Sequence, residues 1–184
     1  RPIDSDKDPT VILLHYPSIL EDTINYIPPR VKIEISCLSM DEPTELRPIR
    51  SLIGESFDGE DTDADSFVRT VVPTRTFLEK LFLLAEEFQK EKPRSVRMSR
   101  HLYDLEKLMD TEYGKEALSN RKLYDAIVEH RKTYYALKYA NYELHDPSTI
   151  NFTIPESAME AWQDDYADMR RFFIYGESLD FDVL

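Results

Sequence analysis

The chain reads as an α+β protein. Apolar and polar residues alternate with a period of two in the front third, whereas the rear two-thirds repeats its apolar residues at helical spacing. Of the 184 residues 41% are apolar, enough to bury a sizeable core. We therefore expect a β-rich part over residues 1–73, with an acidic loop at 55–65, followed by a helical domain over 74–184. No internal repeat is visible.

Residues 1–9 are polar and read as a loose arm. Thr10–Tyr16 is β-prone and stops at Pro17, and residues 18–29 read as a short helix or an irregular segment closed by Pro28-Pro29. The clearest strand is Arg30–Leu38: Val31, Ile33, Ile35 and Cys37 alternate with Lys32, Glu34 and Ser36. Its apolar face is expected to meet a core, and its polar face sets Lys32 and Glu34 about 7 Å apart. Residues 41–65 hold nine acids against Arg47 and Arg50. Leu46–Ile53 can hold a short element there, and Glu55–Asp65 reads as a mobile loop. Phe67–Val72 is a second strand, ended by Pro73.

From Thr76 the period becomes helical. Thr76-Phe-Leu-Glu79 fits a capping box, and Phe77, Leu81, Leu84, Ala85 and Phe88 form the stripe of a helix running to about Lys90. Ser99 is expected to cap a second helix to about Asp110, with Leu102, Leu105 and Met109 inward. Gly114 reads as an interruption. Asn120 caps a third helix to about Asn141, carrying Leu123, Ile127, Tyr134 and Leu137. Pro155 opens the last helix. Its stripe, Met159, Trp162, Tyr166, Met169 and Phe173, fits a core better than a base-stacking platform.

Composition excludes several chemistries. The net charge of −13 repels phosphate backbones, so any RNA contact has to come from a local basic patch. The four glycines make neither a P-loop nor a dinucleotide fingerprint. One cysteine and four scattered histidines leave no internal disulfide and no Cys-based or HExxH zinc site. No apolar run reaches the roughly 20 residues of a membrane span, and no signal peptide is visible, so a cytoplasmic setting is expected.

Three constellations can carry chemistry. On the strand, Glu34 is an oxygen donor of the kind hard cations take, although Lys32 beside it also makes a plain surface ion pair. Lys80 falls in the first turn of the expected helix, where the macrodipole disfavours a cation unless an anion is bound. Glu79 is explained as the box acid. Residues 69–100 carry eight basic side chains against four acids, leading into Arg100 and Asp104. Those two share a helix face at i,i+4, so Asp104 can hold Arg100, align a lysine or act as a base. His101, one step away, reads as a helix-surface residue, and Asp164-Asp165 reads as solvated. Gly54-Glu55-Ser56 followed by Asp63-Ala64-Asp65 mimics a metal motif, but lies in too acidic a stretch to form a rigid strand.

Taken together, Val31-Lys32-Ile33-Glu34-Ile35, Thr74-Arg75-Thr76-Phe77-Leu78-Glu79-Lys80-Leu81 and Arg97-Met98-Ser99-Arg100-His101-Leu102-Tyr103-Asp104-Leu105 carry a resemblance. Asp165-Tyr166-Ala167-Asp168-Met169 before Tyr175-Gly176 fits it as well. Over about residues 30–180 the sequence resembles the C-terminal portion of the AbiEii/AbiGii-type toxin nucleotidyltransferases, in the polymerase-β-like superfamily. The resemblance implies part of a mixed sheet followed by a helical bundle. It implies an enzyme of a bacterial toxin–antitoxin or phage-defence pair that transfers a nucleotide from an NTP to an RNA, the 3′ end of tRNA in characterised members. It also implies a cognate antitoxin and Mg²⁺.

By position, Glu34 resembles the third metal-side carboxylate, Lys80 the lysine that grips the triphosphate, and Asp104 the essential aspartate of the last motif. Arg100 and Tyr103 neighbour that aspartate, and Lys32 and Arg75 join them as substrate-binding candidates. The family's first motif, a glycine-serine turn followed by paired acids, is not matched, so the chain alone is expected to be inactive. The alternative is a non-catalytic helical interaction or regulatory module.

Overall fold

The computed structural model describes residues 9–18, 28–36, 43–57 and 65–184. The α+β class stands. The described strands form two antiparallel ladders, each of two strands, where one mixed sheet was expected. In the first, β1 (Pro9–His15) pairs with β2 (Arg30–Ser36), setting Ile12 opposite Ile33 and Leu14 opposite Val31. In the second, β3 (Thr44–Arg50) pairs with β4 (Asp65–Val71), setting Arg47 opposite Val68. The element expected around Leu46–Ile53 is thus the end of β3 and a short helix, α1 (Leu52–Ser56). The readings for residues 1–8 and 19–27, for Cys37 and for most of the acidic loop lie outside the described residues.

The period-two pattern located β2 correctly, but among the described residues its apolar face does not meet a core. Ile33 and Ile35 are 40% and 57% exposed, and Ile12 and Leu14 beside them are open as well. Among the described residues the ladder has no second layer, and alternation by itself does not supply one.

Helix α2 (Pro73–Glu87) is the centre of the helical part. It starts three residues before the expected capping box. Pro73 occupies the first turn, where its missing amide costs nothing, and extended Val72 offers its carbonyl to the amides of Arg75 and Thr76. The box is therefore not formed. Thr74, in the first turn, donates to Glu116. Around α2 pack α3 (Arg100–Met109), α4 (Glu112–Ser119) and α5 (Arg121–His130).

Gly114 does not interrupt the chain but sits inside α4, whose start is capped by the Thr111 hydroxyl. Asn120 caps α5 as expected, its side chain accepting from the Leu123 amide. That helix stops short of Asn141, passing through a π-helical turn (Arg131–Tyr135) into left-handed Ala136. Two 3₁₀ turns, Tyr142–His145 and Glu156–Ala158, lead to α6 (Met159–Phe172). Trp162, Tyr166 and Met169 of its stripe are buried, while Met159 and Phe173 at its ends are exposed.

The core is aromatic and aliphatic. Phe77, Leu78, Leu81, Phe82 and Leu84 of α2 meet Leu105, Ala117, Ile127 and Trp162. Phe82 packs edge-on against Tyr124 at 4.9 Å, and Phe88 against Trp162 at the same distance. Ser99 heads α3 without capping it. The cap comes from Asp165 on α6, which accepts from the Arg97 and Ser99 amides and from the Ser99 hydroxyl. Asp165 is therefore not a solvated surface acid. It ties α6 to the start of α3, at a point where Arg97 has a positive φ of 58°.

Candidate nucleotide site

Lys80 and Asp104 come together across α2 and α3. Lys80 Nζ lies 2.9 Å from Asp104 Oδ2 and 3.1 Å from His101 Nδ1. Because α2 begins at Pro73, Lys80 sits two turns into its helix, and the macrodipole argument for a bound anion does not apply to it. Its placement comes from packing. Phe77, Leu81 and Leu84 on neighbouring turns are buried against the other helices, which carries Lys80 to the edge of that contact with α3. Of the partners open to Asp104, the structure pairs it with a lysine, Lys80.

The two side chains are 25% and 38% exposed. A pair that wet contributes at most about 1 kcal/mol to stability. An ammonium has three donors. Two are taken here, by Asp104 and His101, which leaves one for a further acceptor.

His101 is not the surface residue its position suggested: it is 5% exposed. Burial, then the charges of Lys80 and Arg100, bring its imidazole down to about 4, so it is neutral near pH 7. A neutral imidazole accepts through one nitrogen, and with a protonated lysine 3.1 Å away that nitrogen is Nδ1. Arg100 is exposed on the same helix. Tyr103 is half-buried, with Lys107 Nζ 5.3 Å above its ring.

The other expected site residues lie in different settings. Lys32 Nζ pairs with Glu34 Oε1 at 2.7 Å on β2, both about half exposed. Among the described residues no group of three His, Cys, Asp or Glu side chains is arranged to hold a metal ion. A hard cation takes six or more oxygens. One carboxylate already paired with a lysine does not fit that need. Arg75 is 3% exposed, and its guanidinium pairs with Glu79, so it faces the protein interior.

That interior holds a buried ionic chain that the sequence reading missed. Glu79 joins Arg75 to Arg131, and Arg131 forks onto both oxygens of Glu86 at 2.7 and 2.5 Å. Burial works against the Arg131 charge, but Glu86 and Glu79 more than offset it and hold the guanidinium well above its usual range. His145 lies 3.8 Å from Glu86 and is kept neutral mainly by burial. Glu87, also buried, accepts from Lys90 and three times from Arg94. Three residues of the basic run, Arg75, Lys90 and Arg94, are thus paired with carboxylates of α2. The available signal was the seven-residue spacing of Glu79 and Glu86, which puts two acids on one face of an otherwise apolar helix.

Among the described residues, no helix is long and apolar enough to cross a membrane. Neither a curated protein nor a solved structure matches the chain. A family model described as nucleotidyl transferase AbiEii toxin, type IV toxin–antitoxin system, matches residues 1–184. Spanning as it does the Lys80 and Asp104 segments and everything between and around them, that match makes this chain a member of the AbiEii nucleotidyl transferase toxin family.

Proposed function

We propose that Lys80 grips the polyphosphate of an NTP in a nucleotidyl transfer to RNA, with the 3′ end of tRNA as acceptor, and that Asp104 holds Lys80 for the purpose. The observation that carries this reading is the junction of Lys80 and Asp104 across two helices, in a half-open setting where an ion pair does little for stability. Transfer of this kind is mostly positioning and charge neutralisation. The free donor of Lys80 meets non-bridging phosphate oxygens, Asp104 anchors the ammonium, and Arg100, on the same helix face as Asp104, adds a second cation. Tyr103 and Lys32 are further substrate contacts, while buried Arg75 supports α2 from within. The Mg²⁺ that such a transfer would use needs oxygen ligands beyond Glu34, which alone does not meet the demand of a hard cation. The protein acts in the cytoplasm beside a cognate antitoxin, in phage defence.

The test is nucleotide incorporation. The full gene product, given labelled NTPs, Mg²⁺ and total tRNA, labels RNA, and Lys80→Ala or Asp104→Ala lowers the initial rate at least 100-fold. The 184 residues alone give no labelling, since the described residues supply only one candidate metal carboxylate. Unchanged labelling in both variants overturns the site and returns the non-catalytic helical module. Robust labelling by the 184 residues overturns the expectation of an incomplete centre.

A further inference from the structure

We propose that His101 is a positioning residue for Lys80: its neutral imidazole accepts one ammonium proton, Asp104 accepts the second, and the third is thereby aimed at a phosphate oxygen. The inference rests on the reading of Lys80 as the polyphosphate-gripping residue. Its own support is geometric. The Nδ1 of His101 is 3.1 Å from Lys80 Nζ, and the ring lies in the α2–α3 packing rather than in solvent. An ammonium on four rotatable bonds is a poorly oriented donor by itself. One carboxylate acceptor leaves it free to swing about that single contact, whereas two acceptors on one rigid helix define the direction of the remaining N–H. His101 and Asp104 are three residues apart on α3, so a single turn supplies both acceptors.

The arrangement also needs His101 uncharged, because an imidazolium has no lone pair to offer and would repel Lys80. The groups facing the ring provide this. Burial and the cations Lys80, Arg100 and Arg94 disfavour its protonation, and Asp104 alone favours it. A carboxylate in place of His101 would bind Lys80 more strongly, but would bring a second negative charge against the incoming phosphates. A neutral acceptor orients the lysine without cancelling its charge.

The experiment measures inorganic tripolyphosphate binding by calorimetry at pH 7.5 on the 184-residue chain and four variants. These are Lys80→Ala, His101→Phe, His101→Asn and Asp104→Asn. Asparagine keeps an acceptor near the Nδ1 position, and phenylalanine keeps the ring without one. The wild type binds, Lys80→Ala weakens binding at least 30-fold, His101→Phe weakens it about 10-fold, and His101→Asn recovers most of the loss. Equal melting temperatures for the two His101 variants separate orientation of Lys80 from damage to the fold. Binding by His101→Phe equal to wild type, while Lys80→Ala has lost it, overturns the inference and leaves the site reading standing. Equal loss in the Phe and Asn variants also overturns it. Wild-type affinity in Lys80→Ala overturns both.

Discussion

At the level of single residues, His101 links the site to pH. In the unfolded chain its imidazole takes a proton near 6.5, while in the folded protein it does so only near 4. Between those values the unfolded state holds more protons, so stability rises with pH and is lost on acidification through that window. The full difference is on the order of 3 kcal/mol. We expect the urea midpoint of the wild type to fall steadily from pH 7 to pH 4.5, with His101→Asn following a shallower slope. Parallel slopes would show that His101 does not carry the dependence. His145, also held neutral by burial, moves in the same direction and keeps the variant's slope from vanishing. The sequence singled out Lys80 and Asp104, but not their histidine partner, because the inward face of α3 is wider than its apolar stripe. Leu102, Leu105 and Met109 were expected inside. Leu105 is buried and Leu102 packs partly buried against the core as expected, Met109 is half exposed, and His101 is buried at the edge of the same face. One residue is 100° on a helix, so an apolar stripe does not tell which flanking polar residue is drawn inward.

At the level of elements, Gly114 shows where residue preference misled. Glycine disfavours helix interiors by about 1 kcal/mol relative to alanine, which made a break the natural reading. The structure keeps the helix and uses the missing side chain for closeness. A Cβ at 114 would run into the Leu108 carbonyl and lie 2.6 Å from the Met109 carbonyl oxygen, so α4 folds back tightly on the end of α3. Gly114→Ala is therefore expected to destabilise by about 1–3 kcal/mol despite its better helix propensity. For a chain of this size that lowers Tm by roughly 2–4 °C per kcal/mol. A Tm equal to or above wild type would mean that the α3–α4 turn relaxes at no cost. The helix caps divide in the same way. Asn120 capped its own helix and was legible, because the contact is three residues long. The cap on α3 comes from Asp165, 66 residues beyond Ser99, and no local pattern announces it.

Across the whole molecule, the helical part and the ladders rest on different physics. The helices share a core in which Leu78, Phe82, Leu84, Ile127 and Trp162 are closed to solvent, with the Arg75–Glu79–Arg131–Glu86 chain beside it, buried except for the partly exposed Glu79. The ladders hold their strands by backbone pairing, and Ile12, Leu14, Val31, Ile33 and Ile35 line an open face. Local alternation was enough to find those strands. It could not say what lies over them, because a period of two records which side is apolar and not whether a second layer exists. An isolated two-stranded ladder is marginal in water, so its opening costs far less than breaking the helical core. Amide hydrogen exchange at pH 7 on dilute protein reads this difference directly. Amides of β1, β2, β3 and β4 are expected to exchange at least 100-fold faster, relative to their intrinsic rates, than those in the middle of α2 and α5. Comparable protection that persists on tenfold dilution would mean that the ladder faces are covered within the chain itself. The two parts would then unfold as one unit.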